Sequence, residues 1–176
     1  MVGRCGRRTY TNKSIKHNMA NIDNSCANLE VENLFVASEN TLADVMNLQK
    51  NIQETVYGFD FEKMQAGSLK EMREFWDWNY HAIQDELREA FDALGGVKDG
   101  IGNGVWKPWK KSHKQITELT YNGMSENDKK ELKMELIDMQ HFLFNMMLSV
   151  GMTPEEFFNY YYSKNKENRE RQKRGY

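Results

Sequence analysis

Glu86 and Glu89 stand three residues apart, and Glu135 and Asp138 repeat that spacing further along the chain. Residues three apart share one face of a helix, so each pair can aim its oxygens at a single point. Two such pairs on facing helices would form an all-oxygen cage, which suits a hard cation such as Mg2+. The competing reading is plain: a Glu-x-x-Glu on a helix is usually a solvated face, and this chain has 26 acidic residues. The second pair is the more informative one. From Leu136 to Leu148 the sequence is apolar nearly all round, which predicts a buried helix with Asp138 inside it. Isolated buried carboxylates are expensive, so they are usually paired or bound to metal.

His141 and Asn145 follow Asp138 on the same run. Di-iron carboxylate bundles use Glu-x-x-His on two helices. Only one comparable pair exists here, and His81 has the wrong spacing to Glu86, so His141 reads as a hydrogen-bonded core histidine. The methionines at 134, 139, 146, 147 and 152 are most simply core filling. No Gly-x-x-x-x-Gly-Lys-Ser/Thr phosphate loop is present. The stretch from Lys164 to Arg174 carries six Lys or Arg against Glu167 and Glu170. It is either a solvated tail or, beside an acidic cage, a clamp for phosphates.

The elements that must position these groups all read as helices. Thr41 caps a helix expected to reach about Tyr57, with Leu42, Val45, Met46, Leu48, Ile52 and Val56 as its apolar face and Gly58 as its stop. Ser68-Leu69-Lys70-Glu71 is a capping box opening a helix to about Leu94, ended by Gly95-Gly96. The glycine-rich stretch 95–105 is expected to be a flexible loop, and a short helix to cover 110–121. Ser125 caps a helix from Glu126 to Val150, closed by Gly151. Thr153-Pro154-Glu155-Glu156 opens the last, running to about Lys166 or beyond. The expected fold is all-α, a four- to five-helix bundle over residues 41–176, preceded by a mostly irregular extension over 1–40.

The 176 residues suit one domain plus an arm. Two cysteines, Cys5 and Cys26, cannot form a disulfide scaffold, which fits a reducing, cytoplasmic setting. No apolar run approaches the ~20 residues of a membrane span, and no secretory signal opens the chain. Residues 1–18 hold five basic side chains and no acid, within a total net charge of −2, so the rest is acidic and a poor nucleic-acid surface. Those 18 residues read as a dispensable arm or an upstream extension before Met19, the rival being a basic arm that binds nucleic acid or a partner.

In its order of motifs the chain resembles the all-α nucleoside triphosphate pyrophosphatases, the group of dimeric dUTPases and MazG-type enzymes, and within it the dCTP pyrophosphatases of T-even-type phages. The resemblance is carried by Leu48–Gln53, Glu86–Asp92, Trp106-Lys107-Pro108-Trp109-Lys110, Glu135–Asp138 with His141-Phe142, and Tyr161–Tyr176, and it spans about residues 40–176. It implies hydrolysis of dCTP and dUTP to the monophosphate and pyrophosphate, in a homodimer. In phages that replace cytosine, it implies a role in keeping dCTP out of DNA. Mg2+ would be held by Glu86, Glu89, Glu135 and Asp138, with Glu89, then Glu86, as the base that takes a proton from the attacking water. Lys107, Lys110, Lys164, Asn168, Arg171 and Tyr176 would hold the triphosphate, and Gln49 and Gln53 would read the base edge. Dimeric dUTPases carry Asn where this chain has Gln53, and they contain a larger insertion, so a dedicated dUTPase is disfavoured. Two alternatives stay open: a broad MazG-type house-cleaning pyrophosphatase, and a non-enzymatic helical interaction module.

Overall fold

The computed structural model describes residues 30–31, 39–96 and 100–175, which form six α-helices and two 3-10 turns, with no strand among them. The expectations for residues 1–18, the two cysteines and Tyr176 lie outside the described residues.

Helix α1 spans Thr41–Thr55. Its cap is Asn40 rather than Thr41: the Asn40 side-chain oxygen accepts from the Ala43 amide at 3.1 Å. Asn40 has non-helical backbone angles and Thr41 is already helical, so Asn40 occupies the capping position. A short helix α2, Phe61–Ala66, follows, capped by Asp60. At six residues it is too short to show a period in the sequence. Helix α3, Leu69–Leu94, starts at the expected Ser68–Glu71 capping box. Helix α4 is Lys111–Glu118 and helix α5 Glu126–Ser149, the latter capped by Ser125. Gly151 turns the chain at φ +71°, and helix α6, Pro154–Lys173, opens on the Thr153–Glu156 capping box. It runs on past Lys166, with Arg171 and Lys173 in the last turn facing the negative end of the helix dipole.

Helices α3 and α5 form the main packing pair, with α1 and α2 laid against α5. Phe75, Ala90 and Ala93 of α3 are buried, as are Phe144 of α5, Met46 of α1 and Phe61 of α2. Phe59, Phe75, Trp78 and Phe142 make an aromatic cluster, with the Phe59 and Phe75 rings edge-on at 4.9 Å. Such pairs add roughly 0.5–1.5 kcal/mol to the area they bury.

Two expectations about faces are overturned. On α1 the buried side chains are Met46, Gln49 and Gln53, while Val45, Leu48, Ile52 and Val56 are exposed. On α5 Glu135 is buried as expected, but Leu136, Ile137 and Leu143, expected inside, are open to solvent, and Asp138 is only half-buried. The helices thus turn polar side chains toward each other and leave an apolar strip outside. α6 has no buried residue and leans lightly on α1, leaving Phe158, Tyr160, Tyr161 and Tyr162 exposed.

The glycine stretch is also not loose where it is described. Gly95, Gly96, Gly102 and Gly104 are buried. A side chain at Gly102 would collide with the carbonyl oxygens of Phe91 and Asp92, so glycine allows the loop to dock on the end of α3. Asn103 donates to Asp92, and His113 Nδ1 donates to the Gly104 carbonyl at 3.0 Å, holding the docked loop. Among the described residues no helix is long and apolar enough to cross a membrane.

Candidate active site

The α3–α5 pair brings the predicted acids together. Oxygens of Glu86, Glu89 and Glu135 all lie within 4.8 Å of one another. Asp138, one turn beyond Glu135, stands outside that triad but faces Glu86 across the wall of a small cavity. The sequence reading missed Glu131, one turn before Glu135 and only 7% exposed. Its signal was available: 131, 135 and 138 fall on one helical face.

The electrostatics of the cluster follow from this crowding. Glu135 is 5% exposed. Burial, then repulsion from Glu89, Glu131, Glu86 and Asp138, pushes its carboxyl up to about 7. Glu86 is also raised, first by burial and then by the charges of Asp138 and Glu89. A hydrogen bond between Glu86 and Glu135 works the other way on Glu86. Two carboxyl groups can share such a bond only when one is protonated. Glu89 is the open member of the triad, and Arg88 bridges it to Asp85, with Nη2 2.9 Å from Glu89 and 3.0 Å from Asp85. Oxygen-only donors that crowd until one holds a proton near neutrality are a fit for a hard divalent cation, which would relieve the repulsion.

Beside the acids lies a cavity of about 140 Å3 walled by Gln49, Gln53, Glu86, Asp138, His141 and Phe142. It adjoins a groove of about 730 Å3 between α1 and α5 that shares Gln49, Ile52 and His141 with it. Both predicted amides are therefore at the site, 5% and 4% exposed. His141, expected in the core, is instead an exposed wall residue. Behind Gln49 runs a buried chain of amides that the sequence did not reveal: Gln49 Nε2 donates to Asn145 Oδ1 at 2.7 Å, and Asn145 Nδ2 to Asn79 Oδ1 at 2.9 Å. Asn79 and Asn145 are 0% exposed.

The predicted phosphate ligands are not assembled there. Lys107 sits with Nζ 4.4 Å from the centre of the Trp106 ring, and Lys110 is exposed at the start of α4. Lys164 and Asn168 are exposed on α6, and Arg171 Nε pairs with Glu167 at 3.2 Å. None of these five lines the cavity beside the carboxylates.

Comparison with known proteins adds the family. No protein-family model matches the chain, and no solved structure matches it. A dCTP pyrophosphatase of Enterobacteria phage T4 is 39% identical over 128 residues, 72% of each chain. The chain belongs to the dCTP pyrophosphatase family of T-even phages. A dCTP pyrophosphatase of Enterobacteria phage LZ5 is 45% identical over 96 residues, 53% of this chain and 56% of that relative's own length. A protein named DNA replication protein, also from phage T4, is 37% identical over 118 residues, but these make up only 29% of it. In this dCTP pyrophosphatase-like chain, Glu86 and Asp138 of the acidic cluster share one cavity wall with the two amides.

Proposed function

We infer that the chain hydrolyses dCTP and dUTP to the monophosphates and pyrophosphate, with Mg2+ as cofactor. The observation that carries this reading is the juxtaposition of an acidic triad with an amide-walled cavity. Glu86, Glu89 and Glu135 converge within 4.8 Å, and Glu86 also walls the cavity that Gln49 and Gln53 close. A base held by the amides would sit beside the carboxylates, which places its phosphates over the acids.

Glu86, Glu89, Glu135 and Asp138 would hold the cation. Mg2+ bound there supplies charge neutralisation at the phosphates and acidifies the attacking water. Glu89 takes the water proton: it is the triad member open to solvent, so water reaches it, and Arg88 holds it in place. Glu86 is next in line. Glu135 is the buried anchor of the triad, and Glu131 behind it adds negative charge. Gln49 and Gln53 read the base edge, since side-chain amides both donate and accept.

Lys107, Lys110, Lys164, Asn168, Arg171 and Tyr176 hold the triphosphate in this reading, and cationic side chains there stabilise the leaving pyrophosphate. Those described lie on the exposed loop before α4 and on exposed α6, so the chain must bring them in by closure or from a second copy. A homodimer fits the apolar surface left open: Leu48 is 69%, Phe91 57% and Phe158 66% exposed. Large apolar side chains left open on three helices offer surface that a second copy could cover. A part in lowering dCTP during phage DNA synthesis with modified cytosine follows from the same reading.

Pyrophosphate release from dCTP, dUTP, dTTP, dATP and dGTP, each with and without Mg2+, tests it. Release from dCTP and dUTP alone, and only with the metal, is expected. Release from all five indicates the broad house-cleaning activity, and release from none leaves the helical interaction module.

A further inference from the structure

The two amides that face the cavity are held in different ways. Gln49 is locked. The lock starts at the Phe75 backbone carbonyl, which can only accept, and Asn79 Nδ2 donates to it at 2.8 Å. Asn79 Oδ1 is left to accept from Asn145 Nδ2 at 2.9 Å, and Asn145 Oδ1 to accept from Gln49 Nε2 at 2.7 Å. Each amide has one donor end and one acceptor end. Anchoring the first on a carbonyl therefore sets the sense of the whole chain. Turning any member round would set oxygen against oxygen or N–H against N–H. Both asparagines are 0% exposed, so no water competes for these bonds. Gln49 keeps its oxygen and its second N–H in one fixed sense.

Gln53 lies one turn further along α1 and has no such lock. Among the described residues it makes no side-chain hydrogen bond, and its Oε1 is buried without a partner. It is 4% exposed and shares the cavity wall with Gln49, Glu86, Asp138 and His141. A buried amide oxygen without a partner is uncommon in a native fold, and such groups often mark a missing ligand. Among the described residues no hydrogen bond sets the rotation of this amide.

Cytosine and uracil differ where an amide can tell them apart. Cytosine carries an amine at C4 and an acceptor at N3, whereas uracil carries an oxygen at C4 and an N–H at N3. Both share the oxygen at C2. We propose that Gln53 is a rotating reader, and that Asn79 and Asn145 are positioning residues for a fixed one. Gln49, held by Asn145, meets the shared C2 oxygen with its remaining N–H. Gln53 turns its oxygen to the cytosine amine or its N–H to the uracil oxygen. One unlocked side chain thereby admits both pyrimidines, and the cost of the choice is a single bond rotation. This inference rests on the pyrimidine pyrophosphatase reading above and deepens it.

The test uses the full chain with Mg2+, and measures kcat and KM for dCTP and dUTP in the wild type, Gln53→Glu and Gln53→Met. The assay is run at about pH 8.5, above the value of about 7 to which burial and repulsion raise Glu135, so as to favour the ionised form of the new carboxyl. A carboxylate only accepts, so it favours the cytosine amine and repels the uracil oxygen. The ratio of kcat/KM for dCTP over dUTP is expected to rise at least about tenfold above the wild type. Methionine keeps the length of the side chain and removes both polar ends. Gln53→Met is expected to raise KM for both substrates by a similar factor and leave the ratio near the wild-type value. An unchanged ratio in Gln53→Glu, or a ratio moved as far by methionine as by glutamate, overturns the rotating reader. So does a wild type that turns over only one of the two substrates, which leaves the pyrophosphatase reading standing. If the wild type releases pyrophosphate from neither, the proposed function itself falls.

Discussion

Glu135→Gln separates a metal cage from a set of incidental acids, because its effect on stability should change sign with metal. In the metal-free protein Glu135 has its carboxyl pushed up from 4.5 to about 7 by burial and by four neighbouring carboxylates. The folded form therefore keeps a proton that the unfolded chain gives up at about pH 4.5. Stability falls as pH rises through the window from 4.5 to about 7, and the full loss is present above it. At 1.36 kcal/mol per pH unit the loss is about 3 kcal/mol, an upper figure because the side chain can shift to relieve it. Glutamine never carries the charge and can still donate to Glu86. With the metal removed by a chelator, at about pH 8, the variant should melt roughly 5–10 °C above the wild type. At about pH 4 the difference should nearly vanish, since Glu135 is then largely protonated in both states. With millimolar Mg2+ the order should reverse, because the wild type gains binding energy that the variant lacks, and turnover by the variant should be lost. Thermal melts followed by circular dichroism at the two pH values, with and without Mg2+, decide the matter. A chelated Glu135→Gln that melts below the wild type at pH 8 would refute the account of the cluster.

Other changes have separate expected outcomes. Asp138→Asn should abolish pyrophosphate release with Mg2+ while the helical circular dichroism stays unchanged. Deleting residues 164–176 should leave a folded core, since α6 buries no side chain, and should reduce dCTP turnover at least ~100-fold. Gly102→Ala would drive a methyl group into the Phe91 and Asp92 carbonyls, and denaturant unfolding should show a loss of about 1–3 kcal/mol as the loop that carries Trp106 and Lys107 is displaced. Trp76→Phe removes the 2.8 Å bond from Nε1 to Ser149 Oγ, and should cost about 1–2 kcal/mol by the same measurement with little change in KM.

Much of the scaffold was legible in the sequence because local chemistry decides it. The Ser68–Glu71 and Thr153–Glu156 boxes satisfy the first amides of α3 and α6 with side chains only three residues away. The carboxylate spacing of Glu86 with Glu89, and of Glu135 with Asp138, likewise needs only a helix to put each pair on one face. What the sequence could not settle was which face turns inward. Val45, Leu48 and Ile52 make the more apolar side of α1, yet Gln49 and Gln53 are buried. The reason is the partner: Asn145 and Asn79, distant in sequence, supply hydrogen bonds that make burying Gln49 affordable. Glu131 differs: its place beside Glu135 follows from helical spacing alone, and only its burial was decided by packing. Local spacing determined the caps, the helices and the carboxylate pairs. Only the packing of α1 and α3 on α5 decided that the acidic cluster would adjoin a cavity where Glu86 and Asp138 share a wall with two amides, one locked and one without a partner among the described residues.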